Sequence, residues 1–185
     1  RCVILTGAGT RAFCAGADLK ERKGMSEPAW RAQHHAFEEA WNALLNCPIP
    51  VIAAVNGAAY GGGLELALAC DFIYAAATAR FALPEATLGI IPGLGGTQLL
   101  PRAIGERRAK EMLMTGRVLD AAEALEAGLA NRVFPAEELL QAAEEIAKKL
   151  AASAPLSLKA IKASMRDGLH LPIAEAHKVE LQHYW

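Results

Sequence analysis

Two glutamates carry the most chemical information in this chain: Glu65, in GGGLELALACD, and Glu85, in LPEATLGIIPGLGGTQ, 20 residues further on. Both stand in apolar, Gly-rich surroundings that solvate a carboxylate poorly. An apolar site raises a carboxyl pKa, and a second carboxylate nearby raises one of the two further, so one can hold a proton near neutral pH while the other stays ionised. A pair of that kind can add or remove water. The plainer alternative is two separate surface glutamates on otherwise buried elements, the usual place for a charged residue.

The elements that must position them are marked by glycine. VIAAVNGAAY reads as a buried strand over Val51–Val55 and a turn through Asn56 and Gly57, and Gly61, Gly62 and Gly63 follow. A helix starting near Gly62 carries Glu65 in its first turn. Glycine allows close approach to the backbone, and the first N–H groups of a helix lack internal partners, so the junction can bind developing negative charge. An enolate or tetrahedral oxyanion fits such donors best, because they then act most strongly in the transition state. Phosphate is the competing target, but neither G-x-x-x-x-G-K-[ST] nor G-x-G-x-x-G occurs here. Glycines serving only tight helix packing are the other alternative.

A second strand-then-loop unit precedes this one. Residues 2–6, CVILT, form an apolar strand, and GAGTRAFCAGADLKER follows with small side chains at residues 14–17 and then Lys20, Arg22 and Lys23. Small residues beside cations suit an extended, phosphorylated ligand. A solvated, charged lead into a helix explains the basic residues equally well.

FCAGADLKE, NGAAYGGGLELALACD and PEATLGIIPGLGGTQLLPR, in that order, resemble the enoyl-CoA hydratase/isomerase (crotonase) family over residues 1–134. The resemblance implies an α/β fold, a spiral of ββα repeats with a helical C-terminal region, and acyl-CoA thioesters as substrates. It divides the chain into a core carrying the site, residues 1–134, and a helical region for packing and oligomerisation, residues 135–185. It implies a homotrimer or a dimer of trimers, with coenzyme A entering as part of the substrate and no separate cofactor. Carried over residue by residue, it places oxyanion-hole N–H donors at Ala17 and Gly62. It assigns the acid–base pair to Glu65 and Glu85, and contacts to the coenzyme A portion to Ala15, Asp18, Leu19 and Lys20. In the implied hydration Glu65 activates water for attack on the β-carbon and Glu85 protonates the α-carbon.

The chain departs from the common family pattern in two places. Leu99 stands where many relatives have arginine in GGTQRLPR, and Tyr60 stands where an aliphatic residue often precedes the glycines. Tyr60 could alter the pocket wall, although a structural partner for its hydroxyl is the expectation. The chain opens on a strand and closes within the helical stretch PIAEAHKVELQHYW, so truncation at both ends relative to the family is expected.

Composition fits a globular enzyme with enough apolar residues, 53%, to bury one sizeable core. A net charge of −1 gives no general attraction to nucleic acid or anionic membranes. Cys2, Cys14, Cys47 and Cys70 form no C-x-x-C pair, which points to free thiols, with Cys14 and Cys70 in the core. No segment reads as a membrane span or signal peptide. A cytoplasmic location is expected, with the mitochondrial matrix open if a transit peptide preceded the chain.

Ser26 and Pro28 mark a helix start, and Trp30, Phe37, Trp41 and Leu44 recur at helical spacing as expected core residues. A strand over Phe72–Ala76 leads to the Glu85 loop, then to a helix near Thr97 that Pro101 kinks or restarts. Asp120 with Glu123 reads as a helix-opening capping pair and Gly128 as the stop, and from Pro135 onward the chain is almost wholly helical. Asp71 is expected to be a buried partner for a backbone group, and Asp18 to cap a turn or helix. No H-E-x-x-H occurs among the five histidines, so no metal site is expected.

Reversible hydration of a trans-2-enoyl-CoA is the leading function. Double-bond isomerisation is the rival within the family. CAGADLKER is also similar to methylglutaconyl-CoA hydratases, some of which bind RNA through basic residues on the following helix. Here that helix carries Arg31 but also Glu38 and Glu39, which dilutes any basic stripe. An RNA-binding protein retaining the fold, or a scaffold subunit without turnover, completes the alternatives.

Overall fold

The structure, a computed structural model, describes residues 1–184; Trp185, the last residue of the expected C-terminal helical region, lies outside them. Strands β1 (Val3–Thr6), β3 (Val51–Val55), β5 (Phe72–Ala76) and β8 (Arg132–Phe134) form one parallel sheet in the order β1-β3-β5-β8. Strands β2 (Ala12–Cys14), β4 (Ala58–Tyr60), β6 (Arg80–Ala82) and β7 (Leu119–Asp120) form a second, in the order β2-β4-β6-β7, with only β7 antiparallel. Each of the first three turns of the chain gives one strand to each sheet before a helical segment carries it onward, and in the last turn a helix, Ala121–Glu126, separates β7 from β8. This is the ββα spiral that the family resemblance implies.

The strand over Val51–Val55 and that over Phe72–Ala76 fall where the sequence places them. The four strands of the second sheet do not appear as strands in the sequence reading. Segments of two or three residues such as AFC, AAY and RFA are too short to display a period of two, and alanine has little strand preference. They are held by pairing with one another, as in Ala58↔Arg80 and Tyr60↔Ala82.

All five residues of β3 are buried, the mark of a parallel strand covered on both faces. Its alternate residues enter different clusters. Ala53 and Val55 join Phe13, Leu64, Ile73, Phe81, Leu83 and Leu100 in the main core, whereas Ala54 joins Tyr74, Ala76, Leu139 and Ala143. Helix α7 (Leu139–Ala152) supplies Leu139 and Ala143 to this second cluster. Phe81 is among the largest fully buried side chains. Phe81→Ala is expected to destabilise the chain by about 3–5 kcal/mol, because a core this closely packed cannot collapse into the space left; a urea midpoint close to that of the parent would refute it.

The remaining helices are α1 (Leu19–Arg22), α2 (Glu27–Leu45), α3 (Gly62–Ala69), α4 (Gly96–Ile104), α5 (Glu106–Thr115), α6 (Ala121–Glu126), α8 (Pro155–Gly168) and α9 (Ile173–Tyr184). Pro101 lies inside α4. The expected capping pair is present: Asp120 accepts from the Glu123 amide at 2.9 Å while Glu123 accepts from the Asp120 amide at 3.0 Å. Gly128 follows with φ +81°, the left-handed stop. Asp18 caps α1 by accepting from the Lys20 amide at 2.8 Å. Asp71 accepts from the Val51 amide at 2.7 Å, as expected of it, but its carboxylate is exposed enough to pair also with Lys162 of α8 at 2.6 Å. Among the described residues, no helix is long and apolar enough to cross a membrane.

Two expectations are corrected. Helix α2 has no buried residue, and Trp30 is 40% exposed, so the aromatic stripe assigned to the core lies over the surface of the loop and helix beneath it. Cys14 and Cys70 are half-buried beside the main core; all four cysteines are free thiols. Burial raises the Cys70 pKa to about 12, which leaves it unreactive.

Candidate active site

The site is built on the β4–α3 junction. Gly61 has φ +54° and ψ −128°, a conformation closed to other residues, and its carbonyl accepts from the Leu64 and Glu65 amides at 2.9 and 3.1 Å. Its own N–H donates to the Ala82 carbonyl at 2.9 Å, which fastens the start of α3 to the end of β6. Glu85 follows three residues later, at the head of a short 3-10 helix, Glu85–Leu88. Pairing between β4 and β6 is therefore what brings the second glutamate to the first.

Both carboxylates are buried, Glu65 to 2% exposure and Glu85 to 8%. Separate surface glutamates are ruled out. A methyl group built on Gly61 would fall 3.1 Å from Glu85 Oε1, and one on Gly62 would fall 3.9 Å from Glu65 Oε2, so the two acids flank the same pair of glycines.

Their surroundings differ. Glu65 Oε1 accepts from the Leu94 amide at 2.7 Å, in the loop entering α4, and from the Gly96 amide at 2.8 Å, at the first residue of α4. Burial raises the Glu65 pKa, while those amides and the nearby His34 charge pull it back down. Glu85 Oε2 is buried with no hydrogen-bond partner among the described residues. Burial raises its pKa, a bond within its own residue opposes this, and the charge on Glu65 raises it further. One acid is thus supported as a carboxylate and the other is favoured as a proton carrier.

The loop after β2 completes the arrangement. Gly16, with φ +84°, packs so tightly against the β4–α3 junction that a methyl group on it would meet the Tyr60 carbonyl oxygen at 3.1 Å and the Gly62 nitrogen at 3.2 Å. Ala17 comes next in the chain. Ala17 and Gly62 are both half-buried, and neither N–H donates a hydrogen bond among the described residues. These are two unfilled backbone donors on either side of the Gly16 contact with the β4–α3 junction.

Of the remaining expected residues, Ala15, Leu19 and Lys20 lie exposed along the loop and α1, beside Asp18, which is engaged as a cap. Tyr60 ends β4 next to Gly61. Its hydroxyl makes no hydrogen bond among the described residues, contrary to the structural partner expected for it. Among the described residues, no group of three His, Cys, Asp or Glu side chains is placed to hold a metal ion. The sequence reading missed the roles of Leu94 and Gly96, which act through backbone amides; the glycine-rich loop was visible, but its target was not.

Comparison with known proteins bears on the family and the fold. The family described as enoyl-CoA hydratase/isomerase matches residues 1–184. The chain is 47% identical to a carnitinyl-CoA dehydratase of Proteus mirabilis over 97% of its own length and 68% of that protein's. It is 42% identical to a mitochondrial enoyl-CoA hydratase of Pongo abelii, covering 96% of this chain and 60% of that one. The crystal structure of an enoyl-CoA hydratase from Bacillus anthracis superposes with a TM-score of 0.96 at 49% identity, over all of this chain and 71% of that one. With motifs, spiral topology and matches over nearly all of this chain in agreement, the chain belongs to the enoyl-CoA hydratase/isomerase family.

Proposed function

We propose that the chain catalyses reversible addition of water to a trans-2-enoyl-CoA thioester. The observation that carries this reading is the unequal pair of buried glutamates beside two unpartnered amides. Glu65 takes a proton from water as the oxygen bonds to the β-carbon. The electron pair of the double bond moves onto the thioester oxygen, where the Ala17 and Gly62 amides meet the enolate. Glu85 then gives its proton to the α-carbon, the carbonyl reforms, and transfer of the water-derived proton from Glu65 to Glu85, directly or by exchange through solvent, restores the pair. Each hydrogen and charge in the addition is handled by those four groups, and coenzyme A enters as part of the substrate.

Ala15, Asp18, Leu19 and Lys20 fit a role along the coenzyme A portion, since they form an exposed rim leading away from Ala17. The trimeric assembly belongs to the same proposal; exposed Leu156 on α8, Leu169 just after it and Ile173 on α9 support burial against further polypeptide.

The test is loss of the conjugated enoyl-thioester absorbance of crotonyl-CoA, followed by short, long and branched enoyl-CoAs and by carnitinyl-CoA in the dehydration direction. Turnover with any of them is expected. Absence of hydration or dehydration across the series, from folded protein, would reject the reading in favour of isomerisation or binding alone.

A further inference from the structure

Helix α2 lies over the loop that holds Glu65, and it touches that loop at two glycines. A methyl group on Gly93 would come within 3.2 Å of His34 Cε1, and one on Gly95 within 2.5 Å of Trp41 Cζ2. Between and beside these two glycines stand Leu94 and Gly96, the donors to Glu65 Oε1. His34 is itself held: its ring stacks on Trp30 with centroids 5.2 Å apart and planes 8° from parallel, and its Nε2 lies 3.3 Å from Glu38 Oε1. Its side chain is only 28% exposed, although α2 as a whole has no buried residue.

We propose that His34 is a positioning residue for Glu65, bracing Gly93 so that the Leu94 and Gly96 amides stay aimed at the carboxylate. The proposal rests on the reading of Glu65 as the base. A flat ring locked by Trp30 on one side and Glu38 at its edge is a rigid stop for a glycine loop that has no side chain of its own to pack. Its position adds an electrostatic effect. The charged groups around His34 are Glu38 from its own helix, Glu65 from α3 and, beyond the Trp30 ring, Arg22 of α1 at 6.0 Å from that ring's centroid. The charge of His34 lowers the Glu65 pKa, since a cation near a carboxyl favours its ionised form, so the base stays deprotonated further into the acid range.

Two variants separate the brace from the charge. His34→Ala removes both and is expected to lower kcat by about tenfold to 10²-fold, the cost of roughly an ångström of misplacement, with KM little changed. His34→Phe keeps a flat ring and is expected to restore most of kcat. Both variants lack the cation, so in both the acid limb of the kcat profile moves to higher pH. Unchanged kcat and acid limb in His34→Ala, an equal fall in both variants, or an effect confined to KM would overturn the proposal. Glu65→Gln is measured alongside. If that variant keeps full activity, the reading of Glu65 has failed, and the ¹³C titration of the Glu65 carboxyl decides about His34 alone: a midpoint displaced upward in His34→Ala sustains it, and an unmoved midpoint overturns it.

Discussion

Replacing Glu65 with glutamine is expected to lower kcat for the proposed hydration by about 10²–10⁴-fold, the usual contribution of a positioned general base. The substitution is nearly isosteric, and the glutamine carbonyl oxygen can still accept from the Leu94 and Gly96 amides, so the loop keeps its anchor. What is lost is an oxygen able to take a proton from water. Stability should move the opposite way. Burial holds the Glu65 carboxyl above its ordinary value of 4.5, so the folded chain binds a proton more tightly than the unfolded chain. Stability linked to this group is fully present below the ordinary value and is lost as pH rises through the raised one. Glutamine carries no such penalty. Glu65→Gln is therefore expected to be more resistant to urea than the parent at pH 7, with the advantage shrinking as the pH approaches 4.5. Glu85→Gln should behave likewise, since burial and the Glu65 charge both raise that carboxyl and Oε2 has no partner to lose. A less active, more stable variant is the signature of a carboxylate kept for chemistry rather than for packing. Activity within tenfold of the parent, or a urea advantage that grows in acid, would contradict this account.

Much of the site was legible because its most constrained residues are glycines and its reactive ones are charges in apolar company. Gly61, Gly62 and Gly63 before LELALA announced a helix start bearing Glu65, and α3 begins at Gly62. Asp120 with Glu123 was readable for a similar reason, since a capping box is a local pattern with a local cause. The meeting of Glu65 with Glu85 depends instead on β4 pairing with β6, and the three-residue strands leave no periodic trace from which to infer that register. The family resemblance supplied it where spacing could not. Trp41 shows the limit of hydrophobic periodicity: its spacing with Phe37 and Leu44 resembles a core stripe, yet its ring lies against Gly95, over the loop that serves Glu65. Apolar spacing reports that a helix has a face to cover and says nothing of whether a core or an active-site loop lies beneath it.

Gly63→Ala should be the most damaging single methyl group that can be added near the site. The new Cβ would lie 1.9 Å from the Cys14 carbonyl oxygen and 2.5 Å from its carbon. These are backbone atoms of β2, so no side-chain rotation can relieve the clash; α3 and the β2 strand must move apart. Overpacking in a closed interior costs about 1–3 kcal/mol and occasionally more. The displacement also separates the two halves of the proposed oxyanion site, because Ala17 follows β2 and Gly62 begins α3. Loss of one well-placed donor costs about 10²–10³-fold in kcat at comparable sites, and a fall of that order is expected in whatever fraction folds. The neighbouring position provides the control for folding. A methyl group on Gly62 meets nothing closer than 3.8 Å, an ordinary contact, and Gly62 does not have the positive φ that favours glycine. Thermal unfolding of the two variants side by side should show Gly62→Ala near the parent and Gly63→Ala well below it. Equal midpoints would mean that β2 and α3 are not held in the close contact on which the pairing of the Ala17 and Gly62 amides depends.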